Sequence, residues 1–286
     1  MQSVRKSNRA KVGAFIRYTL LIIVGIFMLY PLIWMVFSTF KPNSEIFGAY
    51  KLLPVNWTFQ AYLDIGISYG GQINLLTAMK NTYTVVLSKV VFTLLSVTIT
   101  AYGFARFNFI GKKVFFAIML SMIFLPQTVL NAPQYIMFNS WGWINSYKPL
   151  IIPSLFAIDS YFIFMIIQFM RGIPREMEEA ATIDGCNSFQ TLVFVLVPVL
   201  VPALTAAGLF TFMWSSNDFM GPLIYIRTTS KQLTSVFIKM CMDVDRGTDW
   251  NRVLAFSLIA ITPSLLVFFA AQSTFIEGIN AGSVKG

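Results

Sequence analysis

The polar residues with the most ordered spacing in this chain form one short segment, Glu179-Ala180-Ala181-Thr182-Ile183-Asp184-Gly185. It combines two acids, two small residues that allow close approach, and a glycine suited to the left-handed residue that ends a helix. This pattern predicts a short helix that lies flat in a partner's groove, not a reaction centre. The candidate contact residues are Glu178, Glu179, Ala180, Ala181, Asp184 and Gly185.

The sequence offers no catalytic or metal-binding constellation. It contains no histidine, so no imidazole can act as a base or as a metal ligand. The stretch Gly111-Lys112-Lys113 lacks the spaced upstream glycine and the Ser or Thr of a phosphate-binding P-loop. We therefore expect no catalytic residue, no metal and no cofactor in this chain. The acidic segment is then either a partner-binding helix or an ordinary interfacial helix.

The composition places the chain among membrane proteins. Of its 286 residues, 56% are hydrophobic and 12% are charged, whereas soluble domains carry about 25% charged residues. The net charge of +9 fits basic loops that fix orientation in a bilayer better than it fits nucleic-acid binding. We predict an all-α membrane protein that binds the lipid bilayer and no nucleic acid.

Six segments are apolar and long enough to cross a bilayer as helices, which takes about 20 residues. They are 14–38, 82–105, 114–134, 149–170, 200–224 and 253–275. The third contains Pro126 and Pro133, which predict a kink or a break. The fifth contains Asn217, Asp218 and Pro222, which predict an irregular outer end.

The positions of Lys and Arg predict the orientation, because cytoplasmic loops are enriched in both. Basic residues precede the first span and occupy the 2–3 and 4–5 loops, all of which lie on one side. They include Arg5, Lys6, Arg9, Lys11, Arg106, Lys112, Lys113, Arg171 and Arg175. Both termini and the acidic segment are then cytoplasmic. The long 5–6 loop is also basic, but long loops report topology poorly.

The predicted organisation is a single transmembrane domain over 14–276, with a cytoplasmic N-terminus of 1–13 and a cytoplasmic tail of 277–286. The loop that carries the acidic segment covers about 172–199. Cys186 and Cys241 fall on opposite sides of the membrane in this topology, so we expect no disulfide between them.

Polar residues inside the spans are the candidates for a translocation pathway: Lys89, Asp159, Asn217 and Asp218. A charge at the centre of a spanning helix costs about 2.5–3.5 kcal/mol on insertion scales, so it usually faces a cavity or a partner. We expect Asp159 and Asp218 in the outer halves of their spans. A structural pair or a contact to a neighbouring subunit is the alternative for each of them.

Two regions on the outer side have open roles. The long 1–2 loop, Lys41 to Asn81, either meets a partner or ligand or is a simple connector. Trp141 and Trp143 in the 3–4 loop are typical of residues that anchor a protein at the membrane interface.

The acidic segment resembles the EAA loop of ABC-importer permeases, which reads Glu-Ala-Ala, two variable residues, Asp-Gly, then a hydrophobic stretch ending in Leu-Pro. Here Val197-Pro198 closes the pattern, with Val in place of the usual Leu, and Cys186 stands where a small Ala is common. Further segments resemble the maltose-type carbohydrate permeases. They are Tyr30–Trp34, Ser38–Lys41, Ala101–Phe107, Trp214–Phe219 (with two Ser inserted after the Trp) and Gly278–Gly286.

The resemblance implies an ABC type I importer permease fold of six helices in the bacterial cytoplasmic (inner) membrane. It implies pairing with a second homologous permease subunit, an ATPase subunit dimer that binds ATP and Mg, and an extracytoplasmic sugar-binding protein. The EAA loop would form the coupling helix on the ATPase. The tail residues Gly282, Val284, Lys285 and Gly286 would reach the ATPase dimer interface.

The implied cargo is a sugar, with oligosaccharides, including uronate-containing ones, within the group's range. The motif alone does not name the cargo, so a permease for a non-sugar solute is the near alternative. A stand-alone secondary transporter or a membrane-embedded enzyme is the alternative from another class.

Overall fold

Helices make up nearly all of the regular structure. The computed structural model describes residues 2–48, 51–242 and 248–283. In this part of the chain the only β-pairing is an isolated bridge between Tyr69 and Ile73. The all-α prediction is confirmed.

Eight helices carry the architecture. They are α1 (Gln2–Ser38), α2 (Leu75–Arg106), α3 (Lys112–Met122), α4 (Gln127–Ser140), α5 (Ser160–Arg171), α6 (Glu176–Ile183), α7 (Val197–Ser216) and α8 (Trp250–Ser283). Shorter helical pieces cover Asn43–Ile46, Gln60–Leu63, Asp64–Gly66, Lys148–Ile151, Ile152–Phe156, Ser188–Gln190, Met220–Tyr225, Thr229–Lys231 and Thr234–Met240.

Five helical stretches among the described residues are long and apolar enough to cross a membrane, and a sixth arises if a bent pair counts as one span. The bent pair is α3 with α4, which meet at 105°. Pro126 lies at this break, where it precedes α4, and Pro133 lies inside α4. Because proline removes a helical N–H and restricts the residue before it, the break falls where the sequence predicted it.

The fourth span, Lys148–Arg171, is also interrupted, which the sequence did not predict. A short helix and a 3₁₀ turn lead to Ala157, whose φ of 56° is left-handed. Helix α5 then begins at Ser160 and contributes only 12 residues. The helical part nearest Arg171 is therefore about 18 Å long, roughly half of a bilayer crossing.

The fifth span starts earlier than predicted, at Ser188 instead of residue 200. Thr191–Leu196 is π-helical and leads directly into α7, with Pro198 in its first turn. Proline cannot donate to the carbonyl one turn back, and a widened turn relieves the crowding that its ring causes. As a result, the irregular part of the predicted 172–199 loop ends by Asn187.

The chain forms two compact units. The second unit, Ile67–Lys239 with Ala260–Gly286, contains the apolar core that α2, α5 and α7 share. Its most buried members include Val97, Ala101, Ile166, Ile167, Leu200 and Ala207. The small alanines on α2 and α7 let these helices approach closely, as spanning helices require.

The first unit, Met1–Gly66 with Met240–Ile259, holds the described part of the 1–2 loop up to Gly66 in a polar network. The Asn251 side chain donates to the carbonyls of Thr39 (2.6 Å) and Lys41 (2.8 Å). Arg252 forms an ion pair with the buried Asp64. This part of the loop is therefore ordered by hydrogen bonds and an ion pair to the start of α8.

Candidate functional site

The acidic segment forms a helix of its own, α6, which covers Glu176–Ile183. Its first turn contains Glu176, Glu178 and Glu179, and negative charge there is stabilised by the positive end of the helix dipole. Ala180 and Ala181 follow at helix-favouring positions. The sequence thus folds locally as predicted.

A Schellman motif ends this helix. Gly185 has a φ of 87°, its N–H donates to the carbonyl of Thr182 (3.1 Å), and the N–H of Cys186 donates to that of Ala181 (2.9 Å). No atom lies within 4 Å of a Cβ added at Gly185, so the position demands glycine for its backbone angle and not for space.

A second helix start follows two residues later. Asn187 and Gln190 form a reciprocal capping box, with distances of 2.8 and 2.9 Å, that opens the fifth span. The turn between the two helices is therefore defined by local hydrogen bonds at both ends.

One face of α6 is exposed and the other is held against the protein. Glu179 and Ala180 are exposed, and the Ile183 side chain is 87% exposed. Ala181, on the opposite face, is buried. An exposed acid, a small residue and an isoleucine on one face suit a partner's groove with an apolar floor.

The inner face of α6 is tied to α2 by an ion pair between Arg106 and Glu178. Arg106 Nε lies 2.5 Å from Glu178 Oε1, and the two side chains are 8% and 16% exposed. The contact is an ion pair without the alignment of a hydrogen bond, since neither of these two atoms has a hydrogen-bond partner. Glu178 therefore faces the chain's own α2, while its neighbour Glu179 faces outward.

Helix α2 also donates hydrogen bonds to both ends of the loop that carries α6. Arg106 Nη2 donates to the carbonyl of Ile173 (3.0 Å) before α6, and the Tyr102 hydroxyl donates to that of Ser188 (3.1 Å) after it. Sequence reasoning used Arg106 only for orientation and missed this role. The available signal was a basic residue in the last turn of a span, within a stretch that already resembled the family.

The interrupted fourth span lines a large cavity, of about 900 Å³. Polar and aromatic side chains from α4, from the turn after it and from the break line it, among them Gln127, Gln134, Trp141, Trp143, Phe156 and Asp159. Polar groups on an aromatic wall are the chemistry that recognises a sugar ring. The two glutamines, seven residues apart on α4, were missed in the sequence.

Asp159 lies at the start of α5, near the middle of its span. Its Oδ2 accepts a hydrogen bond from the buried Thr93 hydroxyl of α2 (3.0 Å). Twelve residues of helix follow Asp159 up to Arg171, and its outer-half position stays a prediction. A discontinuous helix whose end meets a cavity is how many transporters build their midplane sites.

The other pathway candidates lie elsewhere in the second unit. Asp218 Oδ1 accepts from the Gly221 N–H (3.1 Å) and caps the turn after α7, while Asn217 is exposed and bonds to the Met213 carbonyl. Lys89 is half-buried in the middle of α2 and forms no ion pair among the described residues. None of these three lines the large cavity.

The tail falls partly outside the description. Gly282 lies in the last turn of α8, and Val284, Lys285 and Gly286 lie outside the described residues. The described residues contain no group of three or more Cys, Asp or Glu side chains that could hold a metal ion.

A helical protein with several candidate spans and a tethered acidic helix, one face of which is exposed, fits a class: the translocation subunits of membrane transport systems. The model of one family, described as "Binding-protein-dependent transport system inner membrane component", matches residues 75–274. The chain belongs to this family.

The chain is similar to named permeases over nearly its whole length. The probable ABC transporter permease protein YurM of Bacillus subtilis is 33% identical over 261 residues, 90% of this chain and 84% of that protein. The trehalose/maltose transport system permease protein MalG of Thermococcus litoralis is 25% identical over 266 residues, 93% of this chain and 94% of that protein. The prediction of a maltose-type carbohydrate permease, a translocation component and not an enzyme, is confirmed.

The fold is similar to that of a chain in a solved structure, a bacterial ABC transporter involved in the import of the acidic polysaccharide alginate. The TM-score is 0.81 at 21% sequence identity, over 93% of this chain and 97% of that chain. At that identity the likeness concerns the fold alone.

Proposed function

We propose that this chain is the transmembrane permease subunit of an ATP-driven, binding-protein-dependent importer for a sugar, specifically an oligosaccharide. The observation that carries the proposal is the coupling helix α6. Its inner face is fixed to α2 through Arg106 and Glu178, and its outer face, with Glu179, Ala180 and Ile183, is free for a partner.

The geometry suggests how a partner's motion would reach the membrane. An ATPase dimer that binds ATP and Mg would hold α6 in a surface cleft and move it on closing. Helix α2 contacts the loop at Ile173, Glu178 and Ser188. A displacement of α6 would therefore move α2 and the fifth span as stiff helices. The cavity would then open alternately to the two sides.

The proposed topology has six spans, with α3 and α4 together forming the third, and both termini in the cytoplasm. The basic residues near the ends of α2 and α5 support it, because they gather on the side of the coupling helix. The proposed location is the bacterial inner membrane. There the chain is proposed to pair with a second homologous permease. It would receive cargo from an extracytoplasmic binding protein, as the family description suggests. The tail from Gly282 onward is proposed to reach the ATPase dimer.

The proposed cargo rests on the site and on relatives. The cavity combines two tryptophans with glutamine and aspartate side chains, and one relative is named for trehalose and maltose transport. A carboxylate in the wall favours sugars that are rich in hydroxyl donors. A non-sugar solute remains the alternative that a cargo screen tests.

The experiment is a reconstitution. The chain, co-expressed with the neighbouring permease, ATPase and binding-protein genes, should purify as one complex and import a radiolabelled oligosaccharide into proteoliposomes only with ATP. The binding protein's thermal shift across a panel of sugars, amino acids and phosphate esters selects the labelled cargo.

Glu179→Lys, which reverses a charge on the outer face of α6, should abolish uptake and weaken capture of the ATPase. Lys113→Gln, an exposed charge change on α3, is the matched control and should transport normally. Uptake by the chain alone, without an ATPase, would overturn the proposal. A binding protein that shifts only with a non-sugar would overturn the cargo alone.

A further inference from the structure

A basic cavity of about 630 Å³ lies beside the coupling helix. It is bounded by the ends of α2 and α5 and by the starts of α3 and α6. Its charged lining consists of Arg106, Lys112, Arg171, Arg175 and one acid, Glu176. Neither the coupling mechanism nor the translocation cavity uses Lys112 or Arg171.

The cavity carries excess positive charge. Arg106 is balanced by Glu178, but Lys112, Arg171 and Arg175 face only Glu176, and none of the three forms an ion pair among the described residues. Their donors are also largely unused. Lys112 Nζ donates once, to the Phe107 carbonyl (2.7 Å), and the Arg171 guanidinium lies 5.6 Å from the centre of the Phe116 ring. Converging cations with open donors are a site for a phosphate-type anion.

The loop beside the cavity indicates where that anion comes from. Between α2 and α3 the chain exposes Phe107 (44%), Phe109 (42%) and Ile110 (99%), and Lys112 and Lys113 follow after Gly111. Apolar tips next to lysines are typical of a segment that dips into a membrane interface, with its apolar groups among acyl chains and its cations at the headgroups. Since α2 is a candidate span that ends at Arg106, a cavity beside this end would lie at headgroup depth.

We infer that this cavity binds the phosphodiester headgroup of an anionic phospholipid, with Lys112 and Arg171 as its direct ligands. The lipid's acyl chains lie beside Phe109 and Ile110. Because Arg106 and Glu176 belong to the same wall, the bound lipid braces the start of α6 and links the coupling helix to the bilayer. The inference depends on the chain spanning a membrane and not on the nature of the cargo.

The test uses the complete purified transporter and native mass spectrometry. The complex is exchanged into detergent with either dioleoyl phosphatidylglycerol or dioleoyl phosphatidylcholine, and retained lipid is counted. Wild type should retain phosphatidylglycerol selectively. The double variant Lys112→Gln/Arg171→Gln should retain it on the order of thirtyfold more weakly, as expected for the loss of two surface cations. Lys113→Gln, on the same helix but outside the cavity lining, should weaken retention less than Lys112→Gln does.

Two further arms separate the possible ligands. Inorganic phosphate or glycerol 1-phosphate at millimolar concentration should not displace the lipid, and the ATPase subunits, present throughout, should not exclude it. Should the double variant lose its assembly, Lys112→Gln alone replaces it and should still weaken retention measurably. Equal retention of the two lipids, an equal loss in Lys113→Gln, or displacement by soluble phosphate would each overturn the inference.

Discussion

At the residue scale, the sharpest demand in the site is the backbone angle of Gly185. Its φ of 87° completes the Schellman motif, and open space surrounds it. For a residue with a Cβ, this left-handed backbone conformation costs about 1–2 kcal/mol of conformational energy, because the Cβ crowds the following carbonyl. The penalty therefore acts on the turn that follows α6, and not on the packing around it.

A substitution series at Gly185 tests this reading. Gly185→Ala should lower ATP-driven uptake several-fold, and Gly185→Asp should uncouple it while leaving the protein inserted, because the turn that sets the angle of α6 is strained. Gly103→Ala, at a glycine with open space and no left-handed φ, is the control and should transport normally. Uptake and retention of the ATPase on purification are measured together. Normal uptake by Gly185→Asp would contradict the prediction.

The ion pair between Arg106 and Glu178 gives a second prediction. Removing one partner leaves a mostly buried charge alone, and such losses are about 3 kcal/mol or more. Arg106→Gln and Glu178→Gln should each abolish the stimulation of ATPase activity by loaded binding protein. The exchange Arg106→Glu/Glu178→Arg should restore part of it. Glu176→Gln, an exposed acid in the same helix, is the control. Full stimulation in both single variants would show that the pair is not needed for coupling.

At the element scale, the sequence predicted the apolar spans, apart from the start of the fifth, but not how the fourth is interrupted. Length and hydropathy identify spans because a bilayer core is about 30 Å thick. Pro126 correctly predicted the bend before α4. The break at 152–159 contains Pro153, a signal that the prediction did not use, and its left-handed residue is Ala157 and not a glycine. Likewise, the pairing of Arg106 with Glu178 joins residues far apart in the chain, which helical periodicity cannot relate.

This break makes a prediction about Asp159. Asp159→Asn keeps an acceptor for the Thr93 hydroxyl but removes the charge that faces the cavity. A hydrogen bond to a charged group is worth about 1.5–3 kcal/mol, so sugar uptake should fall about tenfold or more. The melting temperature should change by less than about 3 °C. Thr93→Val, which removes the bond from the other side, should lower stability more than uptake. Normal uptake together with a clearly lower melting temperature in Asp159→Asn would assign Asp159 a structural role alone.

At the scale of the whole molecule, the chain divides into two compact units with different contents. The first unit builds a folded polar surface from the start of α8 and the loop after α1. The second holds the cavity, the coupling helix and the basic cavity. The family match begins at Leu75, the first residue of α2, so it covers the machinery of the second unit and leaves α1 outside.

The two cysteines test the proposed topology, because each lies in one of these units and they differ in reactivity. Cys186 follows Gly185 and is half-buried. Cys241 is buried, and burial raises the pKa of its thiol to about 11, with the Arg252 charge lowering it and that of Asp249 raising it. At pH 8 about one such thiol in a thousand is the reactive thiolate. A membrane-impermeant maleimide should therefore label Cys186 and leave Cys241 unmodified until denaturant is added.

The side of labelling then fixes the orientation. Cys186 should react in inside-out vesicles and not in right-side-out ones, and bound ATPase subunits should slow its reaction, because they would cover the turn after α6. Cys186→Ser should abolish the label, and Cys241→Ser should leave it unchanged. Labelling of Cys186 from the outer face would reverse the topology, and it would remove the coupling helix from the reach of any cytoplasmic ATPase.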